Sequence, residues 1–248
     1  MTTPEYRLTV LGHLQELRSR LIKSVIALAI TTVICFIFYP WLFYILEMPI
    51  QGTELIAIEL TERLSTIMRV SIFGGVILAM PYLVYHAIMF ITPALTQRER
   101  RYVYLILPWI ALMFTVGVVF GYFVILPPAI RFLFTWGSEI AVAQIRVSNY
   151  INVVTRLLLA IGLVFEMPVI STFLARVGII KPSWLSSKRR IAIIFAFIVA
   201  AIITPTFDPV NQCLVAIPLI VLYELSIWLA KLVYRKREEA AAAELSAE

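Results

Sequence analysis

The chain has 248 residues, of which 61% are hydrophobic and 15% charged, and its mean hydropathy is +0.93. A soluble domain of this length has too small a core to bury so much apolar surface, which excludes a soluble globular protein. The composition predicts one all-α integral membrane domain, because a chain that crosses lipid must satisfy its own backbone hydrogen bonds.

Stretches without charged residues predict six membrane-spanning helices, since about 20 apolar residues cross the hydrocarbon core. In chain order we expect them at about 24–46, 70–92, 104–127, 155–175, 190–205 and 211–229. Residues 204–209 contain two prolines and the chain's one aspartate, which predicts a turn that leaves the fifth and sixth helices short. Residues 1–237 then form a single transmembrane domain, and the tail 238–248 is expected to be disordered or to extend the last helix.

The distribution of Lys and Arg predicts that both termini lie in the cytoplasm. Sixteen of the 21 basic residues lie before the first span, after the second, after the fourth and after the sixth. Because short cytoplasmic loops carry an excess of Lys and Arg, these segments are assigned to the cytoplasm. The net charge of +6 is therefore a topology signal and does not indicate nucleic-acid binding.

Two segments on the opposite side of the membrane are long. Residues 47–69 alternate apolar with charged residues in the pattern of an amphipathic segment, and residues 131–156 begin with aromatic residues suited to the membrane interface. We expect the two segments together to cap the outer ends of the helices.

The sequence contains no hydrolytic, nucleotide-binding or redox motif. Its two histidines, His13 and His86, and its two cysteines, Cys35 and Cys213, are widely separated, which argues against a metal site or a disulfide framework. We therefore predict a protein that is not an enzyme and has no cofactor.

Two glutamates stand in basic surroundings on the predicted cytoplasmic side. Glu16 precedes the first span, on a helical face with His13, Leu17 and Arg20, and Glu99 follows the second span. One interpretation is local ion pairing, Glu16 with Arg20 and Glu99 with its basic neighbours. The other is a two-part receptor for a cationic ligand, since a carboxylate pairs with a guanidinium in a defined geometry.

Glu166 lies in the middle of the fourth span, ten residues from the nearest basic residue on either side. An ionisable group at that depth is costly and faces a bundle interior or a cavity. It either bonds to a neighbouring helix in its protonated form or offers a polar contact to a passing or docking segment. Glu224 lies near the predicted end of the sixth span, where its side chain can reach the membrane surface. We therefore expect a structural role for it.

Five fragments in order resemble the TatC family, the membrane receptor of twin-arginine protein export. They are His13-Leu14-x-Glu16-Leu17-Arg18-x-Arg20, Phe90-x-x-Pro93-Ala94-Leu95-x-x-x-Glu99, Phe165-Glu166-x-Pro168, the hairpin from Thr204-Pro205 to Gln212, and Pro218-x-x-x-x-Tyr223-Glu224. Together they extend over nearly the whole chain.

The resemblance implies a glove-like concave bundle in the cytoplasmic (inner) membrane. It implies that Glu16 and Glu99 receive the paired arginines of a signal peptide, with Arg18 and Leu14 beside them, and that Glu166 projects into the concave face. The single-span proteins TatA and TatB would dock at a hairpin that includes Thr204, Pro205 and Gln212.

The implied function is that of a signal-peptide receptor and core scaffold of a translocase. Such a translocase exports folded cargo with the proton-motive force, and the chain is expected to self-associate within it. The alternative is a proton-coupled transporter of small solutes with Glu166 as its proton site. The absence of internal repeats and of a second ionisable partner in mid-membrane disfavours that alternative.

Overall fold

The computed structural model of the chain describes residues 10–50, 54–91, 97–135, 144–204 and 208–245. These residues form nine α-helices: α1 (Val10–Ile37), α2 (Tyr39–Glu47), α3 (Glu62–Ile91), α4 (Gln97–Phe120), α5 (Leu126–Thr135), α6 (Val147–Val177), α7 (Pro182–Ser187), α8 (Arg189–Ile203) and α9 (Pro209–Leu245). A π-helical turn joins α4 to α5, and a 3₁₀ turn follows α2. Two short strands, β1 (Leu55–Ile56) and β2 (Ile145–Arg146), pair in parallel.

Five helical runs in the described residues are long and apolar enough to cross a membrane: Gly12–Ile37, Glu62–Phe90, Ile106–Leu133, Val147–Val177 and Pro209–Arg235. Helix α8 has only 15 residues. At 1.5 Å per residue it is about 22 Å long, less than the hydrocarbon thickness of about 30 Å. The all-α membrane fold and the short fifth helix are thus confirmed, and the count of six crossings stays a prediction.

Two predicted helix boundaries are wrong. The span predicted over 24–46 is divided at Phe38 into α1 and α2, because Pro40, at the start of α2, has no N–H with which to continue the helix hydrogen bonds. The sixth helix is not short, since α9 has 37 residues and continues to Leu245. The Ala, Glu, Lys and Arg residues after its apolar part are strong helix formers. The tail is therefore helical as far as Leu245, where disorder was one expectation.

Helix α6 lies at the centre of the bundle and contacts α3, α4, α8 and α9. Its buried residues include Ile151, Val154, Leu158 and Ile161, which recur at helical spacing on one face. Helix α1 is peripheral: among the described residues it packs almost entirely on α3. The position of every side chain at the start of α1 consequently depends on the α1–α3 contact.

The two long segments that are predicted to lie on the outer side, 47–69 and 131–156, are held together by four residues. We call these residues the outer clasp: Glu59, Glu62, Arg146 and Ser148. The buried Glu62 carboxylate accepts hydrogen bonds from Ser148 Oγ at 2.6 Å and from an Arg146 guanidinium nitrogen at 3.3 Å. The same guanidinium nitrogen of Arg146 donates to Glu59 at 2.9 Å. These hydrogen bonds, to Glu59 and then to Glu62, raise the pKa of the Arg146 guanidinium. The two segments therefore contact each other, as their expected capping role requires.

The carboxyl end of α2 is fixed by two tyrosines from other helices. Tyr122 Oη donates to the carbonyl of Ile45 at 2.6 Å, and Tyr150 Oη donates to the carbonyl of Leu46 at 2.6 Å. The last carbonyls of a helix lack part of their helical hydrogen bonds, and these hydroxyls donate to two of them. The Ile45 carbonyl also accepts from the Met48 N–H. The two hydroxyls attach α2 to the centre of the bundle.

Candidate recognition site

Glu16 lies at the start of α1, half-buried among groups that complement its charge. Its Oε1 atom accepts a hydrogen bond from Arg20 Nε at 2.9 Å and a second from the same guanidinium group. Its Oε2 atom lies 3.7 Å from His13 Nδ1, and within the described residues this oxygen accepts no hydrogen bond. The local pairing with Arg20 is confirmed. One carboxylate oxygen is still open to a further donor.

The ring of His13 stacks on the ring of Phe90, with the centroids 4.2 Å apart and the planes at 13°. This contact fixes the start of α1 against the carboxyl end of α3. Helix α4 begins at Gln97, only six residues after α3 ends, so Glu99 lies at the same end of the bundle as Glu16. The side chain of Glu99 and the Pro93–Leu95 part of its motif lie outside the described residues.

Sequence reasoning put His13 and Phe90 in separate motifs and did not predict that the two rings stack. The available signal was that each aromatic ring lies a few residues from one of the two candidate glutamates. The contact brings together residues that are 77 positions apart in the chain.

Leu14 and Arg18 lie on a different side of α1 from Glu16. Positions two residues apart on an α-helix are separated by about 200° around its axis. Leu14 is 56% exposed, and Arg18 is exposed as well, whereas Glu16 is half-buried. With Leu17 and Leu21 they form an exposed strip at helical spacing. The structure thus brings Glu16 to His13 and Arg20, and does not bring it to Leu14 or Arg18.

The Glu166 side chain is 2% exposed and faces the backbone of Phe114 in α4. Neither carboxylate oxygen forms a hydrogen bond of normal geometry with the described residues. Helices α4 and α6 are very close here, since a Cβ atom added at Gly117 would lie 2.7 Å from Phe165 Cβ. The implied projection into an open concave face is therefore not observed, because this close approach covers the carboxyl group.

An apolar cavity of about 610 Å³ lies beside Glu166, between α4, α6 and α9. Most of its lining side chains are aliphatic or aromatic, and Arg176 and Thr172 are its polar members. The neighbours of Glu166 in the chain, Phe165 and Pro168, contribute to the wall. The cavity offers an apolar surface to an inserted hydrophobic segment.

The polar residues of the hairpin between α8 and α9 bond within the hairpin. Thr204 is buried and its hydroxyl donates to the carbonyl of Ala200 at 2.9 Å, and Gln212 Nε2 donates to the carbonyl of Phe197 at 3.1 Å. Pro205 lies outside the described residues. The Gln212 bond attaches the start of α9 to α8, whereas the Thr204 bond lies within the last turn of α8. One apolar side of α8 stays exposed.

Glu224 forms a two-point ion pair with Arg189, Nε to Oε1 at 2.7 Å and a terminal nitrogen to Oε2 at 2.9 Å. The pair joins the start of α8 to α9, and both side chains are 47% exposed. The structural role expected for Glu224 is the one observed.

Comparison with known proteins gives one consistent family. The sequence profile described as Sec-independent protein translocase protein (TatC) matches residues 12–218. The TatC protein of Aquifex aeolicus (strain VF5) is 41% identical over 233 residues, which are 92% of this chain and 96% of that protein. The TatC protein of Helicobacter pylori (strain ATCC 700392 / 26695) is 39% identical over 224 residues, 89% of this chain and 87% of that one.

A crystal structure of a twin-arginine translocase receptor, TatC, superimposes with a TM-score of 0.81 at 40% identity. It covers 89% of this chain, and 99% of that chain is matched. The profile match includes the motifs that contain Glu16 and Glu166. The chain belongs to the TatC family of Sec-independent protein translocase proteins.

Proposed function

We propose that the chain is the twin-arginine signal-peptide receptor and core scaffold of a translocase that exports folded proteins across the cytoplasmic membrane. Glu16 and Glu99 bind the two arginines of the peptide. In this proposal the chain is not an enzyme. It lies in the inner membrane with both termini in the cytoplasm. The small-solute transporter alternative has no support from family membership, and we do not propose it.

The observation that carries this proposal is the stacking of His13 on Phe90, since it joins the start of α1 to the end of α3. Glu16 lies one helical turn from that stack, and α4, with Glu99 as its third residue, begins six residues beyond α3. Two carboxylates at one end of the bundle suit a ligand with two adjacent guanidinium groups. The open Oε2 atom of Glu16 can accept from such a group while Oε1 stays bound to Arg20.

The apolar parts of a signal peptide and of single-span partners need apolar contacts. The exposed strip that includes Leu14 and Leu17 continues from the recognition site along α1. The cavity beside Glu166 and the exposed side of α8 offer two further apolar surfaces. We assign the hairpin of α8 and α9 to docking of TatA and TatB. In this assignment Thr204 and Gln212 hold the hairpin rigid, since both bond inward.

Glu166 serves as a polar contact within the membrane in this proposal. A buried carboxyl group without a hydrogen-bond partner among the described residues is costly in lipid. A polar group of an inserting peptide or partner helix would satisfy it if α4 and α6 separate slightly. The apolar cavity next to it supplies the path of approach.

Neutral replacement of the two carboxylates tests the recognition site. We expect Glu16→Gln and Glu99→Gln each to weaken binding of a twin-arginine peptide to the detergent-purified chain about tenfold, because each loses a charged hydrogen-bond acceptor. The matched control is Glu224→Gln, which removes one carboxylate that is paired with Arg189 away from the site. Peptide affinity is measured by fluorescence anisotropy. Equal affinity of all three variants for the peptide would refute the assignment.

A further inference from the structure

A basic depression of about 420 Å³ lies between the start of α7 and residues 231–235 of α9. It is lined by Lys181, Pro182, Ser183, Lys231, Tyr234 and Arg235. Three of these six residues are cationic, two others have hydroxyl groups, and no carboxylate is among them. Every polar side chain that lines the depression can donate a hydrogen bond. The chemistry of the lining is therefore that of an anion site.

The depression lies at the level of the membrane surface. Lys231 is the first charged residue after the apolar stretch 225–230 of α9. Trp228, three positions earlier on the same side of α9, is 59% exposed, and Trp184, next to Ser183 in the chain, is 55% exposed. Exposed tryptophans in membrane proteins mark the boundary between head groups and hydrocarbon. A basic site flanked by such residues is in reach of lipid phosphates.

Apolar surface continues from the depression toward the hydrocarbon. Trp228 is exposed on α9 about one turn before Lys231, and Ile179, two residues before Lys181, is 54% exposed. A soluble anion would contact only the basic lining. A phospholipid would contact the basic lining with its phosphate and this apolar surface with its acyl chains. The combination favours lipid as the source of the anion.

We propose that this depression, which we call the α7–α9 site, binds the head group of an anionic phospholipid. Lys181, Lys231 and Arg235 surround the phosphate, and the hydroxyls of Ser183 and Tyr234 donate to its oxygens. A zwitterionic head group is disfavoured, because its ammonium group would find cations and no carboxylate in the lining. The bound lipid joins the turn after α6 to residues 231–235 of α9, on elements that do not include Glu16 or Glu99.

The test uses the full chain, delipidated in detergent, and native mass spectrometry with phosphatidylglycerol, phosphatidylcholine and inorganic phosphate as probes. We expect phosphatidylglycerol to bind at least about tenfold more tightly than phosphatidylcholine. Each basic residue near a membrane surface contributes roughly a fivefold preference, so the triple variant K181Q/K231Q/R235Q should lose affinity on the order of 100-fold. The charge-conserving variant K181R/K231R/R235K should retain it.

The matched control is K23Q/K188Q/R190Q, which removes three charges from the same predicted side of the membrane and none from the depression. Equal loss in the two triple variants would overturn the site, since the preference would then follow net charge alone. Inorganic phosphate that binds as tightly as phosphatidylglycerol would overturn lipid as the ligand. If the triple variant does not fold, Lys231→Gln alone decides: about fivefold weaker binding supports the site, and unchanged binding contradicts it. Peptide binding at Glu16 is measured separately, so the two proposals can fail independently.

Discussion

Replacing Gly75 with leucine is expected to abolish twin-arginine peptide binding, although neither Glu16 nor Glu99 is itself replaced. Gly75 lies where α3 contacts α1, and a Cβ atom there would be 2.5 Å from Thr32 Oγ1 and 2.8 Å from Thr32 Cα. The backbone of α1 cannot yield to a side chain as another side chain could, so α1 must move away from α3. Overpacking of this kind costs about 1–3 kcal/mol.

The consequence reaches the recognition site because α1 has little other support. The Thr31 hydroxyl donates to the Gly75 carbonyl at 2.9 Å, a bond that the displacement breaks. Small residues allow this close helix contact in lipid, where no hydrophobic force holds helices together. Once α1 shifts, His13 leaves Phe90 and the carboxylate of Glu16 is no longer held at the end of α3.

The measurement is peptide affinity for Gly75→Leu and Gly75→Ala, with Gly121→Ala as the matched control. At Gly121 the nearest atom to an added Cβ is the end of a flexible side chain, Leu158 Cδ2, at 3.1 Å. We expect the control to bind peptide normally, Gly75→Ala to bind more weakly, and Gly75→Leu to show no measurable binding. Normal binding by Gly75→Leu would show that the α1–α3 contact does not position the site.

Replacing Glu62 with alanine is expected to lower the thermal stability of the chain more than the loss of any exposed ion pair. Its buried carboxylate accepts from Ser148 Oγ at 2.6 Å, from the Ile58 N–H at 2.8 Å and from Arg146 at 3.3 Å. Without it, the Ser148 hydroxyl and the Ile58 N–H lose this acceptor, and Arg146 keeps only Glu59. An unsatisfied donor shielded from water costs more than a hydrogen bond contributes. The outer clasp would then open.

The control for this change is Glu59→Ala. Glu59 is 65% exposed and its described ion pair is with Arg146, so its loss leaves Glu62 in place. At a fixed heating rate in detergent we expect Glu62→Ala to lower the unfolding midpoint by roughly 5–10 °C and Glu59→Ala to change it by less than about 2 °C. Equal midpoints for the two variants would contradict the central role of Glu62 in the outer clasp.

Features that depend on local sequence could be predicted, because neighbours in the chain determine them. The charge-free stretches indicated the spanning helices, and the spacing of Glu16 and Arg20 indicated their ion pair. Pro40 is a local signal for the break at Phe38, whereas the length of the apolar stretch favours one continuous helix. The helical tail to Leu245 was missed because composition alone does not distinguish a helix extension from a disordered segment.

Features that join distant segments could not be predicted. Glu62 and Arg146 are 84 positions apart, and nothing in either neighbourhood names the other as its partner. The burial of Glu166 follows from the close approach of α4 at Gly117, which depends on how two helices cross. Sequence reasoning predicted that this ionisable residue faces the bundle interior, without indicating which neighbouring helix covers it.

A double-mutant cycle between Glu16 and the signal peptide tests direct recognition most sharply. Binding is measured for the unaltered chain and for Glu16→Gln, each with a twin-arginine peptide and with a peptide in which one arginine is replaced by glutamine. If Glu16 pairs with that arginine, the two losses are not additive, and the coupling free energy is about 1–2 kcal/mol for one of the two arginine positions. Additive losses at both positions would contradict carboxylate–guanidinium pairing at the start of α1.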